Sequence, residues 1–324
     1  MRVIIPAAGV GSRLRPHTHT LPKALVHVAG KPILGHILDR VACLEPQETI
    51  IITGFMGDKV QEYAPGHFPY PIRFVEQQDL LGLGYAVHMA LETAGNEPVL
   101  VILGDTIVDA DLKSIVAQKD NQLAVMPVND PQRFGIAEVQ NGRIVSVVEK
   151  PTHPKSDLAI IGLYYIVDTL LLKKHLDRLV ERDIRTKGEI ELTDALQGMI
   201  DGGAVFRAAS VDGWYDCGQR ETLITTNKYL LGTMTPQEPI AGCVIIPPVY
   251  VAPTAIVEES VIGPYVSISD KAVVRHSIIK NSIVGYEAEV ENALLTDSVV
   301  GHRAMVYGDL RALNMGDSSE IRHF

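Results

Sequence analysis

The sequence lacks long apolar runs. The longest, such as VIIPAA and VLVIL, fall far short of the roughly 18 residues that a membrane-spanning helix requires. The first of them has the character of a strand rather than of a signal-peptide core. We therefore expect a cytoplasmic protein with no membrane partner.

Cysteine is also scarce, with only Cys43, Cys217 and Cys243 in 324 residues. An odd number of widely spaced cysteines suggests neither a disulfide framework nor a metal-ligand pattern. We interpret them as reduced, structural thiols, as is usual inside the cell.

Acidic residues are missing from one place, the first 38 positions. The chain has 39 Asp and Glu and a formal net charge of -10, so 38 positions at the average density would hold about four or five. The segment instead carries Arg2, Arg13, Arg15, Lys23 and Lys31. This local reversal of charge predicts an anionic ligand. The acidity of the whole chain argues against a nucleic-acid partner, because that affinity needs Lys and Arg over a broad face.

Strands and helices alternate over the first part of the chain. The β-branched runs VIIP, TIIITG, IRFVEQ and VLVILGD are each followed by an amphipathic segment. This order predicts βαβ units and an α/β, Rossmann-like domain with a mainly parallel sheet. Later strands, including a hairpin marked by Asn141-Gly142, extend the same sheet.

The C-terminal part of the chain is repetitive. SVIG at 260–263, SIIK at 277–280, SIVG at 282–285 and SVVG at 298–301 begin 17, 5 and 16 residues apart. A unit of this length resembles the left-handed hexapeptide-repeat β-helix, here with three or four coils, and a small sandwich of short strands is the alternative. The predicted division is an α/β domain at 1–232, a linker at 233–239, the β-helix at 240–310 and a tail at 311–324. Because so few coils expose an end, we expect that end to be capped or to take part in a homo-oligomer.

The strand VIIP runs into the glycine-rich turn AAGVGS. Two common phosphate-binding motifs do not fit, because Leu14 stands where GxGxxG needs its third glycine and Pro32 follows Gly30-Lys31 where the Walker motif needs Ser or Thr. Gly9 and Gly11 can still turn backbone NH groups inward, forming an anion-binding concavity beside Arg13. The carboxyl end of a first parallel strand is where open α/β sheets bind ligands.

These residues, read as GxGxRLxPxTxxxPKxLxxxxGKP over 9–32, resemble the signature of the sugar-1-phosphate nucleotidylyltransferases. The resemblance implies transfer of a nucleotidyl group from a nucleoside triphosphate to a hexose 1-phosphate, with release of pyrophosphate. It extends over most of the chain, since further motifs follow in the family's order: Gln77 with Gly82-Leu83-Gly84, LGD ending at Asp105, Phe134-Gly135, Glu149-Lys150-Pro151, ELTD at 191–194 and WYDCG at 214–218.

Such a reaction needs particular residue types. A phosphate monoester with a second pKa of about 6 is largely a dianion at neutral pH, so no side chain has to remove its proton. Two anions must instead be aligned against their repulsion, and the charge that builds on pyrophosphate must be offset. Cationic side chains and a divalent metal ion are therefore expected, rather than a Ser-His-Asp triad.

The resemblance also implies roles for individual residues. Asp105, after a central strand, and Asp216, in a tight turn, would hold Mg2+, which prefers oxygen ligands. The implied catalytic residues, in contact with the triphosphate, are Arg13 and Lys23. The implied nucleotide-binding residues are Ala8, Gly9, Gly11, Ser12, Gln77 and Gly82. The implied sugar-phosphate-binding residues are Gly135, Glu149, Lys150 and Gly162.

The substrates are less closely defined than the reaction. Residues 82–87, GLGYAV, resemble the uridylyltransferases, whereas PKAL and the C-terminal repeat are more similar to thymidylyltransferases, so dTTP and UTP both remain. Glucose 1-phosphate is the expected sugar only because it is the commonest in the family. Thr106 follows Asp105 where many relatives have Asn. A non-catalytic, nucleotide-sugar-sensing paralogue and a β-helix acyltransferase are the alternative functions.

Overall fold

The computed structural model of the protein describes residues 1–308. The chain divides into two compact units, Met1–Thr226 and Asn227–Phe324, and the second is described as far as Gly308. The expected last residues of the β-helix, 309–310, and the expected tail at 311–324 lie outside the described residues. The predicted domain boundary at 232 stays a prediction.

The first unit is an α/β domain built on the predicted strands and helices. Its strands are, in chain order, β1 Arg2–Pro6, β2 His27–Val28, β3 Lys31–Pro32, β4 Glu48–Thr53, β5 Ile72–Glu76, β6 Val99–Ile102, β7 Thr106–Asp109, β8 Asn121–Pro127, β9 Gly135–Gln140, β10 Arg143–Glu149, β11 Leu158–Ile166, β12 Phe206–Ala209 and β13 Gly213–Asp216. Its helices are α1 Ile33–Ala42, α2 Gly57–Tyr63, α3 Leu83–Ala94, α4 Leu112–Val116, α5 Thr169–Glu181 and α6 Leu192–Asp201, and α7 Arg220–Thr233 continues past the unit boundary.

Nine of these strands form one sheet, in the order β5-β4-β1-β6-β11-β8-β12-β10-β9. β10 and β11 run against the other seven, so the sheet is mixed, with antiparallel as well as parallel pairings, and the predicted α/β fold is confirmed. The predicted hairpin is also confirmed, since β9 and β10 are antiparallel and joined by Asn141 and Gly142 with φ of 51° and 74°. An Asn-Gly pair tolerates this left-handed backbone better than other residues do.

Apolar patterning explains how these elements pack. In β4, residues 49–53 are all buried, as expected of a parallel strand covered on both faces. In α1 the buried side chains follow a helical spacing along one face: Ile33, Leu34, Ile37, Leu38 and Val41. The core of the domain forms where such helix faces meet the sheet.

The sheet brings together two loops that carry predicted site residues, at the carboxyl ends of β1 and β6. The backbone NH of Gly104 donates to the carbonyl oxygen of Pro6 at 2.9 Å, and a Cβ at Gly104 would lie 2.7 Å from that oxygen. Only glycine permits this approach, which brings Asp105 close to the loop that follows β1.

A small second sheet, formed by β7 and β13, was not predicted. The antiparallel register sets Asp216 opposite Thr106 and Trp214 opposite Val108. The expectation that Asp216 lies in a tight turn is therefore wrong: it is the last residue of a strand, because pairing with β7 extends residues 213–216.

The second unit consists mainly of parallel strands stacked in coils, which agrees with a β-helix. Its three four-stranded sheets have the orders β14-β17-β20-β23, β15-β18-β21-β24 and β16-β19-β22-β25. The direction in which the coil winds stays a prediction. The strands are β14 Val244–Ile245, β15 Val249–Val251, β16 Ile256–Glu258, β17 Val261–Ile262, β18 Val266–Ile268, β19 Val273–Arg275, β20 Ile278–Lys280, β21 Ile283–Val284, β22 Glu289–Glu291, β23 Leu294–Thr296, β24 Val299–Val300 and β25 Met305–Tyr307.

The repeated serines have a structural role at the corners of the coils. Ser260 Oγ accepts a hydrogen bond from the backbone NH of Ser277 at 3.0 Å, and Ser277 Oγ accepts one from Ala293 at 3.1 Å. Ser282 Oγ accepts from the NH of Ser298 at 3.1 Å in the same way. Each hydroxyl thus satisfies a corner NH of the following coil, which explains why the repeats begin with serine.

Among residues 1–308, no helix combines the length and the apolar character that crossing a membrane would require.

Candidate functional site

A cleft of about 480 Å³ lies in the first unit. It gathers segments from the whole length of the domain, from the loop after β1 to the start of α6. Nine of the predicted site residues line it: Ala8, Gly9, Lys23, Gln77, Gly82, Asp105, Gly135, Glu149 and Lys150. Five others do not: Gly11, Ser12, Arg13, Gly162 and Asp216.

The two glycines of the opening loop differ in their surroundings. A Cβ at Gly9 would meet no heavy atom within 4 Å. Gly11 has a φ of 66°, and its Cβ would lie 2.9 Å from Cβ of Lys23 and 3.0 Å from Cγ2 of Thr18. Thr18 Oγ1 also donates to the Gly11 carbonyl at 2.8 Å. Gly11 therefore allows the loop to pack against the stem of Lys23, while Gly9 leaves free space in the cleft.

Lys23 and Asp105 form an ion pair in the cleft. The Lys23 side chain is only 10% exposed, and its Nζ donates to Asp105 Oδ2. Thr106 Oγ1 donates to Asp105 Oδ1 at 3.2 Å, so the residue that departs from the family pattern hydrogen-bonds to this carboxylate. The ammonium group of a lysine is a compact positive charge that suits phosphate oxygens.

Asp216 lies close to this ion pair because β13 pairs with β7. The NH of Cys217 donates to the Asp105 carbonyl at 3.0 Å. Burial raises the pKa of Asp216, and the charge of Asp105 raises it further, while Lys23 and Arg13 lower it in part. Two carboxylates are thus held near each other, although the ionised form of one is disfavoured.

A missing side chain makes room for Arg13 beside Asp216. A Cβ at Gly218 would lie 2.8 Å from Asp216 Oδ1 and 3.3 Å from Nη2 of Arg13. The glycine of the WYDCG motif therefore permits the guanidinium and the carboxylate to lie near the same point. Arg13 is close to Asp216, although it does not line the cleft itself.

The donor set fits Mg2+. In the described part of the chain, no group of three His, Cys, Asp or Glu side chains is arranged to hold a metal ion. Mg2+ needs no such cage, because it is usually bound by one or two carboxylates together with substrate phosphates and water. Asp105 and Asp216 supply two carboxylates whose mutual repulsion a cation would relieve.

Lys150 lies between two carboxylates elsewhere in the cleft. Its Nζ is 3.1 Å from Glu149 Oε1 and 3.6 Å from Glu191 Oε1. Thr193 Oγ1 donates to Glu149 Oε2 at 2.7 Å, and a Cβ at Gly135 would lie 2.9 Å from that oxygen. Burial lowers the pKa of Lys150, but the charges of Glu149 and Glu191 outweigh this and raise it overall. Lys150 is therefore held in its charged form.

Glu191 is a member of the site whose role the sequence did not reveal. Burial raises its pKa to about 7, and the charge of Glu149 adds to the effect, while Lys150 offsets part of it. Burial also raises the pKa of Tyr164, with Glu149 and Glu191 contributing. The motif ELTD drew attention to this segment, but nothing in its letters indicated that Glu191 pairs with Lys150.

Gly82 marks a second tight contact, between the turn before α3 and Ile190. Gly82 has φ 117° and ψ 174°, and its Cβ would lie 2.6 Å from the Ile190 carbonyl oxygen. Ile190 donates its NH to the Leu81 carbonyl at 2.7 Å and accepts from the NH of Gly84 at 2.8 Å. Gln77 is buried nearby in the cleft lining. The segment that carries Glu191 is thus fixed to the turn predicted to read the base.

Gly162 lies outside the cleft lining. It has a φ of 82° within the irregular part of β11 between Ile160 and Tyr164, and Leu103 fills the space that a side chain would need, at 2.7 Å. The structure therefore gives this glycine a packing role, and its predicted contact with a sugar stays a prediction.

A smaller pocket of about 240 Å³ adjoins Asp216. Phe134 and Trp214 meet edge to face there, with ring centroids 5.2 Å apart. Arg133 and Phe134 line both this pocket and the cleft. The sequence marked Phe134 and Trp214 only as parts of motifs and did not indicate their contact.

Comparison with known proteins identifies the family of this chain. The family model for nucleotidyl transferases matches residues 2–232. The chain is 30% identical over 320 residues to a glucose-1-phosphate thymidylyltransferase of Streptomyces antibioticus, covering 90% of this chain and 88% of that protein. It is 31% identical to the UTP–glucose-1-phosphate uridylyltransferase AglF of Haloferax volcanii, covering 66% of this chain and 89% of that protein.

A solved structure extends the likeness to three dimensions. The crystal structure of a UDP-glucose pyrophosphorylase complexed with UDP-glucose matches with a TM-score of 0.63 and 23% identity, covering 72% of this chain and 99% of that one. At this identity the likeness concerns the fold alone. From the family match, the similarity to the relatives and the shared fold together, this chain is a member of the nucleotidyl transferase family.

Proposed function

We infer that this protein transfers a nucleotidyl group from a pyrimidine nucleoside triphosphate, dTTP or UTP, to a hexose 1-phosphate, giving an NDP-sugar and pyrophosphate. One observation carries the inference: a single cleft is lined both by Lys23 with Asp105 and by Lys150 with Glu149 and Glu191. Such a cleft offers separate cations to two phosphorylated reactants. The names of the two relatives support glucose 1-phosphate as the sugar substrate.

In the proposed reaction, an oxygen of the sugar phosphate attacks the α-phosphorus of the triphosphate. The bond from that phosphorus to the bridging oxygen breaks, and pyrophosphate leaves with the electron pair. Lys23 and Arg13 would stabilise the negative charge that builds on the leaving group. Gly9 leaves room for the triphosphate to approach the backbone, because no atom lies within 4 Å of its missing Cβ.

Asp105 and Asp216 would hold Mg2+ in this site. The bound ion would supply positive charge that offsets the phosphates of both reactants. The two aspartates belong to segments joined by the Cys217–Asp105 backbone hydrogen bond, which supports a shared role.

Lys150 would hold the phosphate of the sugar substrate, and Glu149 would accept hydrogen bonds from its hydroxyls. Thr193 orients the Glu149 carboxylate through the 2.7 Å hydrogen bond to Oε2. Gly135 leaves space beside that oxygen, since a Cβ there would lie 2.9 Å away. Gln77 and Gly82 would contact the base.

The decisive assay offers UTP, dTTP, ATP, CTP and GTP in turn with glucose 1-phosphate and Mg2+, and measures pyrophosphate. We expect release with UTP or dTTP, and at least a hundredfold less with Asp105→Asn, which keeps the shape of the side chain but not its charge. No release with any of the five nucleotides would contradict transfer to glucose 1-phosphate and would favour another sugar substrate or the sensing paralogue. Binding of an NDP-sugar without turnover would then favour the sensing paralogue.

We also expect the protein to form a homo-oligomer through its β-helix. The outward ladder Val244, Val261, Ile278 and Leu294 supports this, since Ile278 and Leu294 are 51% and 79% exposed. Light scattering on the wild type should give a multiple of the 35.3 kDa chain mass, and the double variant Ile278→Glu/Leu294→Glu should give the chain mass itself. A monomeric wild type would contradict the expectation.

A further inference from the structure

Glu191 is an acidic residue in the cleft that the reaction proposed above does not use. The residue is only 5% exposed. It occupies the position before the first residue of α6, where Ser, Thr, Asp or Asn would normally cap the helix. Its side chain makes no such capping hydrogen bond and lies 3.6 Å from Lys150 Nζ instead. The Glu191 side chain therefore contacts Lys150 instead of capping the helix.

The charged groups around Glu191 are mostly of its own sign. Glu149 ends β10 and Lys150 follows it directly, and Glu189 lies two residues before Glu191. β11 contributes Tyr164, whose hydroxyl is neutral at physiological pH; burial and these carboxylates raise its pKa further. α6 contributes Asp194, which is close enough to Glu149 for that charge to raise its pKa, after the larger effect of burial. α3 packs on Glu191 through its first turn, residues 83–86, which carries no charged residue.

A phosphate that binds Lys150 must compete with Glu191 for the same ammonium group. If the phosphate takes over that ammonium, the Glu191 carboxylate remains buried among other carboxylates, beside a new dianion. A buried charge without a counter-ion is strongly disfavoured. A carboxyl group in that situation takes up a proton.

We propose that Glu191 is a positioning residue that holds Lys150 in place for the sugar phosphate and takes up one proton from solvent when that phosphate binds. The proposal rests on the assignment of Lys150 to the sugar phosphate made above. The pKa of Glu191, about 7 in the free protein, supports this proposal, because protonation of Glu191 near neutral pH then needs little free energy. The backbone carbonyl group of Glu191 lies against Gly84, so this segment of the chain is packed on the turn that would bind the base.

The expected pH dependence has a definite sign. The protonated form of Glu191 favours the sugar phosphate, so the apparent affinity falls as the pH rises above about 7. Lys150 stays charged over this range, since its own pKa is raised. The ligand contributes little, because a phosphate monoester with a second pKa of about 6 is already a dianion above pH 7.

The test measures KM for glucose 1-phosphate at saturating nucleotide, at pH 7.0 and pH 8.5. We expect KM of the wild type to rise about tenfold and that of Glu191→Gln, which mimics the protonated form, to change less than about twofold. Glu189→Gln is the matched control, because it removes a neighbouring carboxylate for which no ion pair with Lys150 is seen within residues 1–308. Its KM should rise with pH as steeply as that of the wild type. Parallel slopes in the wild type and Glu191→Gln would overturn the proposal while leaving the transfer reaction intact.

A second measurement does not depend on turnover. Titration calorimetry of the wild type with glucose 1-phosphate at pH 7.5, in two buffers of different ionisation enthalpy, counts the protons taken up on binding. We expect net uptake of a sizeable fraction of one proton, and none for Glu191→Gln. Binding without proton uptake would overturn the role of Glu191, whereas absence of transfer with every nucleotide would contradict the proposed function instead.

Discussion

Replacing Gly82 by alanine should destabilise the first unit, and the cost can be worked out from its surroundings. The backbone of Gly82, at φ 117° and ψ 174°, lies in a region that is almost restricted to glycine and costs other residues of order 1–3 kcal/mol. The added Cβ would also lie 2.6 Å from the Ile190 carbonyl oxygen and 2.8 Å from Cβ of Glu189. Because the first of these is a backbone atom, relief requires the segment to shift, at a further cost of about 1–3 kcal/mol.

Together these terms predict a loss of about 4 kcal/mol, which would lower the Tm of a domain of this size by roughly 10 °C. Gly9→Ala is the matched control, since it adds the same methyl group where no atom lies within 4 Å. Thermal and urea unfolding should show Gly9→Ala within about 0.5 kcal/mol of the wild type. Its methyl group instead occupies space in the cleft, so KM for the nucleotide should rise. Equal stabilities for Gly82→Ala and Gly9→Ala would refute the steric reasoning.

The remaining predictions concern charges in the cleft. Glu191→Gln should stabilise the free protein by an amount that grows by about 2 kcal/mol between pH 5 and pH 8. The reason is that folding raises the pKa of Glu191 from its ordinary 4.5 to about 7, so the wild type loses stability as this carboxyl group ionises. Urea unfolding of both proteins at both pH values measures this, and a stability difference that does not change with pH would contradict it. Asp216→Asn should cut turnover by orders of magnitude. It should nevertheless raise the Tm at pH 7, because it removes a carboxylate whose ionised form burial disfavours. Near-normal turnover would contradict the assignment of Asp216 as a metal ligand. Chelation of divalent ions with EDTA should abolish pyrophosphate release, and added Mg2+ should restore it, whereas unchanged rates in EDTA would exclude the metal role of Asp105 and Asp216.

Much of the fold followed from local patterns in the sequence. The alternation of β-branched runs with amphipathic segments predicted the strands and helices of the first unit, because burial of one helix face or of a whole strand leaves a short-range period. The Asn141-Gly142 pair predicted a hairpin through its backbone preference alone. The serine-led repeats predicted the stacked coils, since each coil must satisfy the same corner NH groups as the one before it.

The motifs also identified many residues of the candidate site, but not their arrangement. Asp105 and Asp216 were paired by resemblance, while the strand pairing of β7 with β13 that brings them together has no local signature. Leu103 beside Gly162 likewise depends on how β6 meets the irregular part of β11. These are contacts between segments far apart in the chain, and a periodic pattern carries no information about which distant segment will be the neighbour.

The sequence by itself determined the types of element, their order, the repeat and the chemical groups available to the cleft. Only the tertiary structure decided which of those groups meet and in what electrostatic state. From the sequence ELTD alone, Glu191 is an ordinary acidic residue at the start of a helix. In the folded chain it is buried beside Glu149 and Lys150, and its pKa is raised to about 7. The physical reason is that the free energy of an ionised group depends on its distance from water and from other charges, and folding sets both distances.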